Sequence, residues 1–68
     1  MSLPTKGEKF VELTEHLRLA QEASAMLGHL HADEDLVLSK GWLAISEMLK
    51  LTIFNVTKLA TRGKITWN

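Results

Sequence analysis

Between Leu36 and Ala60 apolar residues return at alternating steps of four and three: Leu38, Trp42, Ile45, Leu49, Thr52, Val56 and Leu59, with Thr52 the one polar member. A helix turns such a seam toward a partner helix. At about 100° per residue, Val37, Ala44, Met48 and Leu51 widen it on one side and Ile53 and Ala60 on the other, so the apolar arc covers roughly half the circumference. One neighbouring helix cannot cover that. Leu36, Leu43 and Phe54 stand apart, on the arc that carries Lys40, Glu47, Lys50 and Lys58.

The earlier part of the chain repeats the same period from Glu8 onward, through Phe10, Leu13, Leu17, Ala20, Ser24 and Leu27. A second stripe, Leu19, Ala23, Met26 and Leu30, joins it only in the later half, so this helix is narrow-faced at its start and broad-faced near the turn. Thr5 suits the N-cap, with Glu8 three residues on to complete a capping box. Gly28 suits the C′ position. His29 to Ala32 then form the connection, and Asp33-Glu34-Asp35 opens the second helix with Asp33 as N-cap, where the helix dipole favours carboxylates. Ser39-Lys40-Gly41 is the weak point of that helix: Gly41 marks either a break or a close helix approach beside Trp42. Arg62-Gly63 closes it. The tail from Lys64 to Asn68 has strand-like composition without a partner strand and is expected to dock Ile65 and Trp67 on a helix surface.

The pattern therefore predicts an all-α fold: an antiparallel helical hairpin, one helix at about 8 to 28 and the other at about 33 to 61. The whole chain, residues 1–68, forms one small domain with tails at 1–7 and 64–68. A chain of 68 residues is near the lower limit for a self-sufficient hydrophobic core. With no cysteine for a disulfide or thiolate metal site, association is the remaining remedy. The hairpin is expected to pair into a homo-oligomeric four-helix bundle, through an interface of Trp42, Ala44, Ile45, Met48, Leu49, Leu51 and Val56.

Charge adds a second pattern. Eight basic and eight acidic side chains cancel overall. Residues 1–35, however, hold three cations against seven carboxylates, a net −4, and residues 36–68 hold five cations against Glu47, a net +4. Such halves suit helices folded onto each other, with Glu12, Glu15 and Glu22 within reach of cations from the second helix or the tail. The neutral sum removes the broad basic footprint of a nucleic-acid or anionic-membrane binder. The first ten residues lack an apolar targeting region, and the most apolar run, Leu51 to Val56, is far short of the ~20 residues that span a bilayer. A cytoplasmic location without membrane partners is expected.

Candidate chemistry is sparse. His29-Leu30-His31-Ala32-Asp33-Glu34 superficially resembles the His-x-His-x-Asp-His string of metallo-β-lactamase-like hydrolases, but Glu34 stands at the last histidine position and that family's fold is much larger. The match is a coincidence of spacing. His29, His31 and Asp33 remain low-ranked candidates for a metal at the turn, and His16 with Glu12 reads as an edge pair without a third ligand. There is no cysteine nucleophile, phosphate-cradling loop or helical zinc motif, and one hairpin offers little concave space, so no catalytic residue and no cofactor are assigned. Lys58, Arg62 and Lys64 cluster at the end of the second helix and are the candidate nucleic-acid contact. The expected function is a non-enzymatic protein-interaction or regulatory module whose first partner is itself. A nucleic-acid-binding regulator comes second and a metal-binding protein third.

Overall fold

The structure is a computed structural model and describes residues 3–62. Within them the chain forms two helices, α1 (Lys6–Leu30) and α2 (Leu36–Arg62), packed as a hairpin around a turn at residues 31–35. The expected all-α hairpin is what the chain forms, with α1 extended by two residues at each end and α2 starting three residues later and ending one residue later than the periods suggested. No strand occurs among the described residues. Gly63 and the tail, with its expected docking of Ile65 and Trp67, lie outside them.

Local chemistry sets the ends. Thr5 Oγ1 accepts from the Glu8 amide at 3.0 Å, which satisfies one of the orphan donors of the first turn. At the other end α1 runs through Gly28 and caps at His31, whose amide donates to the Leu27 carbonyl at 3.1 Å, while the Ala32 amide donates to the His29 carbonyl at 3.2 Å. Gly28 is thus interior to the helix rather than at its C′ position. The cap of α2 also shifts, from the expected Asp33 to Asp35: Oδ1 of Asp35 accepts from the Leu38 amide at 3.1 Å, and its carbonyl accepts from the Ser39 amide. Asp33 and Glu34 fall in the turn because the α1 extension moves the whole connection along the chain. Gly41 neither breaks α2 nor sits at a close approach, since a Cβ built there would meet nothing within 4 Å.

The seam between the helices differs from the expected one. Its α1 side is Gly7, Phe10, Thr14, Leu17, Gln21, Ser24 and Gly28; its α2 side is Ser39, Trp42, Ser46, Leu49, Ile53, Val56 and Ala60. Both rows step by three and four, the register of paired helices. Leu13, Ala20 and Leu27, expected in the α1 stripe, are exposed, as are Leu38, Ile45, Thr52 and Leu59 of α2. Each helix is rotated by one row toward its small residues. The physical reason is close approach: Ser24, Ser39 and Ser46 are 3 to 5% exposed, and Gly28 stands so near α2 that an added Cβ would lie 2.6 Å from Leu43 Cγ.

Hydrogen bonds crossing the seam hold it together. Gln21 Nε2 donates to Ser46 Oγ at 2.9 Å, and Ser46 Oγ donates in turn to the Gln21 carbonyl at 3.3 Å. Ser24 Oγ donates to the Trp42 carbonyl at 2.7 Å, and Ser39 Oγ to the Gly28 carbonyl at 2.6 Å. The last bond is a cap supplied from outside α1, because Gly28 lies in the final turn, where carbonyls have lost their helical amide partners. No buried side-chain oxygen or nitrogen lacks a partner among the described residues.

Candidate functional site

Because polar and small residues share the seam with Phe10, Leu17, Trp42, Leu49, Ile53 and Val56, many of the large apolar residues are left outside it. Among the described residues no apolar side chain is buried, while fifteen large ones are exposed. A monomer with one exposed leucine needs no explanation; a chain with nine exposed leucines does. Their positions decide what they mean.

In an antiparallel helix pair the rows flanking the seam on one side come together from both helices, and so do the rows on the other side. One side is fixed by the groove lined by Val11, Thr14, Glu15, Arg18, Ile53 and Thr57. Continuing around both helices from that groove gives a mainly charged face: Glu8, Glu15, Arg18 and Glu22 from α1, with Lys40, Glu47, Lys50 and Lys58 from α2 and the exposed Leu36 and Phe54 among them. The opposite side holds Leu13, Ala20, Ala23, Leu27 and Leu30 from α1. From α2 it holds Leu38, Ile45, Met48 and Leu59, with Thr52 among them. Met48 is 64% and Leu59 68% exposed. This second side is the candidate site: an apolar face running along both helices.

Thr52 interrupts that face less than its type suggests, because its hydroxyl donates to the Met48 carbonyl at 3.0 Å within its own helix. Of the seven residues expected at an oligomer interface, Ile45 and Met48 lie on the open apolar face. Trp42, Leu49 and Val56 are half-buried along its margin with the seam, and Ala44 and Leu51 sit on the outer edge of α2. The sequence period missed Leu13, Leu27, Leu38 and Leu59 as free residues by assigning them to the hairpin seam. Small residues at helical steps, Ser39 with Ser46 and Ser24 with Gly28, were the signal that would have moved the seam onto its true rows.

The charged residues do not pair across the helices as their distribution suggested. Among the described residues the ion pairs are Lys9–Glu12 at 3.2 Å, Arg18–Glu22 at 3.1 Å and Lys50–Glu47 at 3.2 Å, each within one helix. Their partners three or four positions away are closer than anything on the other helix, because these rows point outward from the seam. All six side chains are more than half exposed, so each pair contributes little to stability.

At the turn, His29, His31 and Asp33 do not converge: among the described residues no three histidine or carboxylate side chains are placed to hold a metal ion. At the far end, Lys58 lies 5.3 Å from the centroid of the Phe54 ring, a cation–π contact, and Arg62 follows one turn later. Lys64, the third expected member of that cluster, lies outside the described residues. No described helix is long and apolar enough to cross a membrane.

No family model matches the chain, and no curated protein or solved structure matches it either. The apolar face is therefore weighed on its own geometry.

Proposed function

We propose that this chain is a non-enzymatic helical interaction or regulatory module that works as a homo-oligomer, with hairpins stacked through the apolar face into a four-helix bundle. The observation that carries the reading is the lack of a single buried apolar side chain among the described residues, with one face that gathers five leucines, an isoleucine and a methionine. Seven large side chains there, roughly half exposed, represent about 5 to 10 kcal/mol of unrealised burial per copy at ~1.5 to 3 kcal/mol for each complete burial. That rivals the ~5 to 15 kcal/mol stability of a whole domain. Stacking two such faces recovers it.

Sedimentation equilibrium at micromolar concentration tests the reading. The parent chain should self-associate, and Ile45→Glu or Met48→Glu should dissociate it, because a carboxylate in that face finds no partner. Phe54→Ser, on the charged side, should leave the assembly intact. A cooperatively folded monomer of the parent chain would sink the proposal.

A second reading, a nucleic-acid-binding regulator, draws on the open end of the hairpin, where Lys6 and Lys9 of α1 lie beside Lys58 and Arg62 of α2. Fluorescence anisotropy with labelled RNA and DNA oligonucleotides across a salt series separates the two. Binding that weakens steeply with salt favours the second.

A further inference from the structure

We infer that two copies stack their apolar faces head to tail, so that the acidic turn of each lies over the basic open end of the other. The inference rests on the self-association just proposed and names its partner and its geometry. Two symmetric arrangements bring the same faces together. If the two-fold axis runs along the helices, both turns lie at one end; if it crosses them, the turns lie at opposite ends.

Both cover the face, whose footprint of about 40 Å by 20 Å, from helix lengths and diameters, approximates the ~800 Å² that a stable partner interface takes from each side. Charge separates them. The turn carries Asp33, Glu34 and Asp35, all exposed, and the ion pairs described above engage none of them. The open end carries Lys6, Lys9, Lys58 and Arg62 against Glu8 and Glu12. The hairpin is therefore negative at its turn and positive at its open end. Turns side by side would bring six carboxylates together at one end and eight cations against four carboxylates at the other. Turns apart place each acidic end against a basic one.

Sequence register agrees with the crossed arrangement. The α2 row on this face is Leu38, Ile45, Thr52 and Leu59, which is symmetric about its own midpoint. Inverting α2 over its copy then sets Leu38 against Leu59 and Ile45 against Thr52, with Met48 beside the axis. The same inversion brings Arg62 over the Asp35 end of the turn. Leu38 meets Leu59 and Met48 meets its copy, Thr52 faces Ile45 with its hydroxyl already bonded within α2, and opposite charges meet at both ends.

The chain has no cysteine, so Ala32→Cys introduces one site for a spin label in the exposed turn. Double electron–electron resonance on the self-associated protein should give a turn-to-turn distance of about 40 Å, the length of α2. A distance near 20 Å would overturn the arrangement while leaving self-association standing. A sample that sediments as a monomer and gives no dipolar signal would overturn the self-association itself. Charge reversal is the second arm. Arg62→Glu should weaken dimerisation roughly tenfold at low salt, since it alters both ends, and Glu34→Arg in the same chain should restore it. Loss of affinity that Glu34→Arg does not rescue would count against the head-to-tail pairing.

Discussion

Alanine at Gly28 and alanine at Gly41 should move stability in opposite directions, although both glycines are interior to a helix and both replacements gain about 1 kcal/mol of helix propensity. At Gly41 the new methyl enters open space, so the gain is kept. At Gly28 it would lie 2.6 and 2.7 Å from Leu43 side-chain atoms and 3.1 Å from the Ser39 carbonyl oxygen. Leu43 can rotate away, but the Ser39 carbonyl belongs to the backbone of α2 and moves only if the helices separate. Overpacking of this kind costs about 1 to 3 kcal/mol. Separation also stretches the 2.6 Å bond from Ser39 Oγ to the Gly28 carbonyl, worth about another 1 kcal/mol. Gly28→Ala should therefore lose about 1 to 3 kcal/mol net. For a chain of this size that lowers Tm by about 4 to 8 °C per kcal/mol, whereas Gly41→Ala raises it by a few degrees. Thermal melts followed by circular dichroism, at one fixed protein concentration because association shifts Tm, would measure both. A Gly28→Ala protein as stable as Gly41→Ala would show that the helices are not in close contact there, and the seam as described would be wrong.

Other outcomes follow from the same geometry. Ser39→Ala should destabilise by about 1 to 3 kcal/mol in urea titrations, because it leaves the Gly28 carbonyl of the last α1 turn without a partner; an unchanged midpoint would show that water serves equally well there. Zinc should produce no saturable rise in Tm, since the candidate ligands His29, His31 and Asp33 do not converge, and a rise lost in a His29→Ala, His31→Ala double variant would contradict that geometry.

The helices, the Thr5 cap and the hairpin were legible because they depend on local spacing and capping chemistry. Which rows meet was not. Hydrophobicity ranks Leu13 and Leu27 above Gly28, and Leu38 and Ile45 above Ser39 and Ser46, so the period placed Phe10, Leu17, Ser24, Trp42, Leu49 and Val56 in the seam correctly and paired them with the wrong neighbouring row on each helix. The hairpin instead selects the rows that allow two backbones to approach and three serines to bond across the gap. The Asp33 cap failed for a related reason: α1 extends past Gly28, which the close approach to α2 requires to be a glycine. Charge was misread because summing over halves ignores direction. Glu12 and Glu22 find cations on their own helix at short range. The apolar face itself follows once Ser and Gly are assigned to the seam, since Leu13, Leu27, Leu38 and Leu59 then fall together on one flank of it.

Among the described residues, the side-chain hydrogen bonds that cross from α1 to α2 lie between Gln21–Ser46 and Gly28–Ser39, the half nearest the turn. Toward the open end, Leu17, Leu49, Ile53 and Val56 remain half-exposed along the seam. Amide hydrogens should accordingly exchange with solvent in a gradient, slowest around Ser24 and Trp42 and fastest where α1 begins and α2 ends. The same gradient sets an order of assembly. A five-residue connection closes quickly, so the pair of helices should zip from the turn outward, with its first lasting contacts made by serines rather than leucines.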